Sequence, residues 1–167
     1  MKKQKNIMMA LGLLLISLIN AQAQSSNTKE YKVQGYAFAA PVVTNGGGNG
    51  AQVGAGAEGL VYQGLGAGAE LSYLSTVKGF RSGVGVFSPN ASYHFLNATK
   101  SGKLVPFVTG GYTLFFRNGT ASGFNYGGGV NYWFKERVGL RFEVRDQVFV
   151  NNGNGHFVGF RAGISFR

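Results

Sequence analysis

Apolar and polar residues alternate at every second position through most of this chain, which is the period of a strand and not of a helix. Eight alternating segments stand out: Val33–Val42, Gln52–Leu60, Leu65–Ser75, Gly85–Leu96, Val105–Phe116, Phe124–Phe134, Gly139–Gln147 and Phe157–Phe166. Turn-rich stretches separate them, such as Thr44-Asn45-Gly46-Gly47-Gly48-Asn49-Gly50 and Asn151-Asn152-Gly153-Asn154-Gly155. Short connections, Val61-Tyr62-Gln63-Gly64 and Lys135-Glu136-Arg137-Val138, fit tight hairpins. No linker or change of composition interrupts the series, so it predicts one all-β domain.

Sorting by parity separates two chemistries. Leu140, Phe142 and Val144 fall on one face of the seventh segment, and Arg141, Glu143, Arg145 and Gln147 on the other. In the third, Leu65, Ala67, Ala69, Leu71 and Tyr73 oppose Gly66, Gly68, Glu70 and Ser72; in the eighth, Phe160, Ala162, Ile164 and Phe166 oppose Gly159, Arg161, Gly163 and Ser165. A soluble sandwich or a lipocalin-type barrel turns its apolar face inward, leaving a solvated face that would not be made of glycine. The reverse arrangement fits better: apolar side chains meet lipid, and glycine and charge line a narrow lumen. Lipid leaves no water to satisfy a strand edge, so such a sheet has to close. The prediction is an eight-stranded antiparallel up-and-down transmembrane β-barrel, because a tilted strand needs roughly 9–11 residues to cross and eight of them fit the length.

Composition sharpens this picture. The chain has 28 glycines among 167 residues, 13% charged residues, three prolines and no cysteine. That excludes collagen, disorder and disulfide-stapled or thiolate-metal folds. The glycines are expected to make room for long charged side chains crossing the lumen. At the start, Lys2, Lys3 and Lys5 precede the apolar run Ile7–Ile19, and Ala21-Gln22-Ala23 follows. This is the pattern of a cleavable signal peptide over 1–23, leaving a barrel over 24–167. As a helix the run rises only about 20 Å, short of the roughly 30 Å hydrocarbon core. Lysines and arginines number 16 against six acids. Export argues against nucleic acid as the partner of that basic excess and leaves anionic lipid.

With the termini on the periplasmic side, the outer connections are expected around Thr44–Ala51, Thr76–Gly83, Arg117–Gly123 and Gln147–His156. Tyr132-Trp133-Phe134 sits where an aromatic girdle belongs, although Trp133 has inward parity and needs a bulge or strand end to re-aim it. Pro41 has to lie near a strand end. Phe107 and Phe115 share a face with Thr109 and Thr113, so the fifth segment sorts less cleanly.

The signal peptide, the glycine-laced strands, the segment Gly139-Leu140-Arg141-Phe142-Glu143-Val144-Arg145-Asp146 and the aromatic-ended Gly159–Phe166 together resemble the small outer-membrane β-barrel proteins of Gram-negative bacteria, similar to the OmpA transmembrane domain and OmpX. The resemblance spans the mature chain and implies a monomeric barrel in outer-membrane lipid and lipopolysaccharide. It also implies recognition of the last strand by the barrel-assembly machinery. Members commonly end in phenylalanine; here Arg167 follows Phe166.

The candidate chemistry is a lumen charge network of Glu58, Glu70, Glu143, Arg141, Arg145 and Arg161, all on inward parity. An unpaired buried charge costs several kcal/mol, so ion pairing is expected. The bland reading is a structural plug. The sharper one is a narrow porin-like channel whose arginines favour anions. Lys78, Arg81 and Arg117 on outer connections are candidates for lipopolysaccharide phosphate. Gly54-Ala55-Gly56-Ala57-Glu58-Gly59 matches a dinucleotide fingerprint but has no helix after it, so no cofactor is expected. Outer-membrane lipid A deacylases carry a His-x-Ser pair facing lipid, whereas here Ser92-Tyr93-His94 runs in reverse and faces inward. With His156 isolated, neither a catalytic residue nor a metal site is expected.

Overall fold

The computed structural model describes residues 33–76, 79–149 and 155–167, with the side chains of 76 and 79–82 outside that description. The expected signal peptide and Lys78 lie outside the described residues. Eight antiparallel strands follow one another in space as they do in sequence and close on themselves: β1 (Val33–Thr44), β2 (Asn49–Tyr62), β3 (Leu65–Thr76), β4 (Gly79–His94), β5 (Leu104–Phe116), β6 (Thr120–Trp133), β7 (Val138–Phe149) and β8 (His156–Phe166). The seam pairs the first strand with the last, with Ala37 opposite Ile164 and Val43 opposite Val158. Every strand thus has a neighbour on both sides, and no edge is left open.

Parity behaves as the alternation predicts. Outward positions include Val53, Leu71, Val108, Phe124, Phe142, Val144, Phe160 and Ile164, each exposed. Inward positions include Gln52, Glu70, Ser88, Asn131, Arg145 and Ser165, each buried. The uneven fifth segment is resolved in the same way: Phe107, Thr109, Thr113 and Phe115 all point inward and are buried.

The strands run further than the expected segments at the end opposite the termini. β1 reaches Thr44, β4 begins at Gly79, β6 at Thr120, and β7 reaches Phe149. Most of Thr76–Gly83 and Arg117–Gly123, read from sequence as connections, is therefore hairpin strand. Polar and glycine residues there mimic loop composition, yet cross-strand pairing continues through them, as in Phe115 opposite Ala121 and Phe116 opposite Thr120. At the terminus end, Gln63 and Gly64 make a two-residue turn with φ of 40° and 93°. That positive-φ pair matches the twist of the flanking strands.

Glycines sit directly opposite aromatic residues on neighbouring strands: Tyr36 faces Gly56, Phe38 faces Gly54, Phe107 faces Gly129 and Trp133 faces Gly139. A Cβ at Gly56 would come 2.6 Å from Tyr36 Cζ, and one at Gly129 would come 3.0 Å from Phe107 Cζ. The space these glycines leave is filled by rings lying flat along the wall, a recurrent device in curved sheets. Glycine clears charged side chains as expected, with Gly66 and Gly68 beside Glu58 and Gly127 beside Arg145, and it clears aromatic rings as well, on which the guanidinium groups then rest.

At the seam, a Cβ on Gly163 would overlap the Ala37 carbonyl, which is backbone and cannot step aside. Gly163→Val is expected to destabilise the folded barrel by about 2–3 kcal/mol or prevent closure. Gly119→Ala, in open space at a turn, should stay within about 0.5 kcal/mol of the parent. Urea unfolding in detergent, followed by tyrosine fluorescence, distinguishes the two.

Candidate functional site

Strand geometry delivers all six predicted lumen residues to one buried place. Glu58 comes from β2, Glu70 from β3, Arg141, Glu143 and Arg145 from alternate positions of β7, and Arg161 from β8. Arg145 is 1% exposed and Glu70 likewise. Burial this deep removes water as the counter-charge, so each ion has to be met by protein groups.

Glu143 is the hub. It accepts from Arg145 Nε in a short contact and from Arg141 Nε at 3.2 Å, and Arg161 Nη1 lies 3.7 Å away. Glu70 Oε2 takes Arg161 Nη1 at 2.8 Å, Arg145 Nη1 at 3.3 Å and the Tyr36 hydroxyl at 3.2 Å. Glu58 Oε1 takes Arg141 Nη1 at 3.1 Å and the Gln34 amide in a short contact; its Oε2 takes the Ser92 hydroxyl at 2.5 Å and lies 3.2 Å from His94 Nε2. Three carboxylates and three guanidinium groups form one continuous chain across the lumen with no net charge. The delocalised guanidinium faces are covered as well. Arg141 lies between the rings of Tyr36 and Phe107, at 4.2 and 3.9 Å, and Arg161 lies 4.2 Å from the Phe38 ring.

Above and below this belt the lumen changes character. Toward the hairpin end, Arg161 Nη2 donates to Gln52 at 3.2 Å, and Gln52 donates to Ser72 at 2.9 Å. Ser88, Thr113 and Asn125 form a second polar link there, at 3.1 and 2.8 Å. Beyond them Val42, Leu74, Val86 and Phe115 make a buried apolar cluster, with Phe149 and Phe157 packed on it. The Phe115 and Phe149 rings stack at 4.0 Å between centroids. At the terminus end Trp133 is 3% exposed, with the Arg167 guanidinium 4.2 Å over its ring. This corrects the girdle expectation for Trp133. It keeps its inward parity because Gly139 opposite leaves room for the indole, and it closes the lumen while Tyr132 and Phe134 stay outside.

The three candidates for lipopolysaccharide contact fare differently. The side chains of Lys78 and Arg81 lie outside the description. Arg117 is exposed on the β5–β6 turn, held by its own backbone bond to the Gly119 carbonyl at 3.1 Å. Sequence reasoning omitted His94, Tyr36, Phe38 and Phe107 from the lumen site. Parity already turned His94 inward, and the inward rings of β1 and β5 were the available signal for the rest. A second cluster was also missed. On the outward face, Asp146 Oδ2 accepts from the Tyr126 hydroxyl at 2.9 Å and from His156 Nδ1 at 2.8 Å. Lone carboxylates on an apolar face acquire such partners to offset their desolvation.

No family model and no curated protein matches the chain. Solved structures do. Neisserial surface protein A is 19% identical with a TM-score of 0.63, over 80% of this chain and 94% of that one. The N-terminal β-barrel domain of OprF from Pseudomonas aeruginosa is 17% identical at 0.59, over 80% and 96%. A designed transmembrane β-barrel is 16% identical at 0.58, over 84% and 98%. At these identities the likeness is one of fold: an eight-stranded barrel resembling the small outer-membrane barrels.

The hub position gives a sharp expectation. Glu143→Gln leaves three buried guanidinium groups sharing two carboxylates, and should cost about 3–5 kcal/mol in urea unfolding. Adding Arg145→Met removes the surplus cation and should recover more than half of that loss, because the charge balance and much of the volume return.

Proposed function

We propose that this chain is an integral outer-membrane protein, exported by a signal peptide over 1–23, whose barrel serves envelope integrity or surface interaction and performs no chemistry. The observation that carries this reading is the inversion of faces. Large apolar side chains are exposed around the wall while Arg141, Arg145 and Arg161 are buried inside it. Water would penalise both choices, and lipid outside with paired charge inside penalises neither.

The role assigned to the lumen is that of a structural plug. Along its axis it passes from an apolar cap around Phe115 to a neutral charge belt and then to Trp133. Each layer raises a separate barrier to an ion: dewetting at the cap, and displacement of paired charges at the belt. Arginines already paired with glutamates supply no fixed positive field to select anions, so the charge arrangement favours the plug over the narrow channel. In this reading the protein is a monomer surrounded by outer-membrane lipid and lipopolysaccharide, with Lys78, Arg81 and Arg117 as candidate phosphate contacts. The barrel-assembly machinery recognises its final strand.

Two measurements test the proposal. Unboiled protein should migrate differently from boiled protein on a denaturing gel; identical migration, with solubility in the absence of detergent, would remove the membrane assignment. In planar bilayers the intact protein should give no steady conductance. A steady current that Glu70→Ala or Arg145→Ala abolishes would replace the plug with a channel.

A further inference from the structure

The lumen accounts for its own charge, with three arginines against three glutamates. The basic excess of the chain therefore lies elsewhere, and among the described residues it gathers at the terminus end. Lys100 and Lys103 lie on the β4–β5 connection, Lys135 and Arg137 on the β6–β7 turn, and Arg167 after β8. Glu136 is the only acid among these segments. The two lysines of the first connection, Lys135 and Arg137 are all exposed.

The fold makes one surface of them. Leu104 pairs with Tyr132, and the Trp133 N–H donates to the Lys103 carbonyl at 2.7 Å, which locks the β4–β5 connection beside β6. The Arg167 N–H donates to the Arg137 carbonyl at 3.1 Å, and its guanidinium donates to the Glu136 carbonyl at 2.9 Å. The cations thus form an arc over the β4 to β8 side of the rim. The β2–β3 turn, Gln63-Gly64, carries no charge.

Immediately inside the arc, on the outer wall, stand exposed Tyr93, Phe95, Tyr132 and Phe134. Tyr93 and Phe95 pack edge to face at 5.1 Å. Aromatic residues at the end of a membrane strand mark the level where hydrocarbon gives way to headgroups. Lys135 follows Phe134 directly in the chain, so the basic arc stands at headgroup depth, where phosphates are.

We propose that this arc is a binding surface for the phosphate groups of anionic lipid in the leaflet that meets the terminus end of the barrel. The inference rests on the membrane reading above but not on which leaflet that end faces. Its physical content is local charge complementarity: several cations, one acid, and a fixed height beside lipid phosphates. It also supplies a use for charge that the lumen does not need.

The test is native mass spectrometry of the full folded chain from micelles containing equal amounts of phosphatidylglycerol and phosphatidylcholine. Heat-modifiable migration, checked first, reports the barrel itself; parent protein lacking it would defeat the membrane reading as well as this one. The folded parent is expected to retain phosphatidylglycerol preferentially. The variant Lys100→Gln, Lys103→Gln, Lys135→Gln, Arg137→Gln should lose at least about tenfold of that preference. Lys100→Arg, Lys103→Arg, Lys135→Arg should keep it, and so should Gly119→Ala on the turn at the opposite end. Raising salt from about 0.05 to about 0.5 M should weaken it. Equal lipid retention by the parent and the glutamine variant overturns the proposal, as does an equal loss in Gly119→Ala. Displacement of the lipid by inorganic phosphate at matched concentration would assign the surface to the free ion and overturn the lipid assignment.

Discussion

Three guanidinium groups in a lumen without room for bulk water set the terms for the rest of this barrel. Each needs a carboxylate within hydrogen-bond reach and a low-cost surface for its flat faces. Glu58, Glu70 and Glu143 meet the first need, and Tyr36, Phe38 and Phe107 meet the second. Those rings can lie along the wall only because Gly54, Gly56 and Gly129 stand opposite them. Charge pairing, ring placement and glycine positions are therefore one coupled solution, and altering any part exposes a cost in the others.

Closure supplies the frame for that solution. Pairing β1 with β8 removes the last free edge and sets Arg161 of β8 against the Phe38 ring of β1, while the β7–β8 ladder places it opposite Glu143. It also turns the apolar parity of all eight strands outward together. An apolar exterior of this extent is tolerable beside hydrocarbon and hazardous in water, so the interior network and the exterior band support the same environment from opposite sides. The ends complete the separation, with an aromatic cap around Phe115 at one and Trp133 under Arg167 at the other.

Period-two alternation made the inner and outer sets of β7 and β8 legible, because a strand has only two faces and a slip of one residue would bury Phe142 with the lumen charges. The connections were harder to read. Asn, Gly, Ser and Thr at the hairpin end look like loop, yet Ala121 and Ser122 are paired strand residues. Local composition could not register the cross-strand hydrogen bonds that extend them. Trp133 shows the same limit: its parity was inward, but the reason it stays there is the clearance at Gly139 on another strand.

Sequence alone determined the fold class, the strand count and which residues share a face, since these follow from periodicity and from the demand that backbone groups in lipid be paired. It also determined that six charged residues would meet inside. Tertiary structure decided the partners: that Glu143 is the hub, that Arg141 lies between two rings, and that His94 joins Glu58. It decided too that most of the surplus cations among the described residues collect on one side of one rim. Pairings of this kind depend on barrel curvature and on the stagger between strands, which bring together Glu70 and Arg161, 91 residues apart, and Gln52 and Arg161, 109 residues apart. Alternation along a single strand carries no record of that distance.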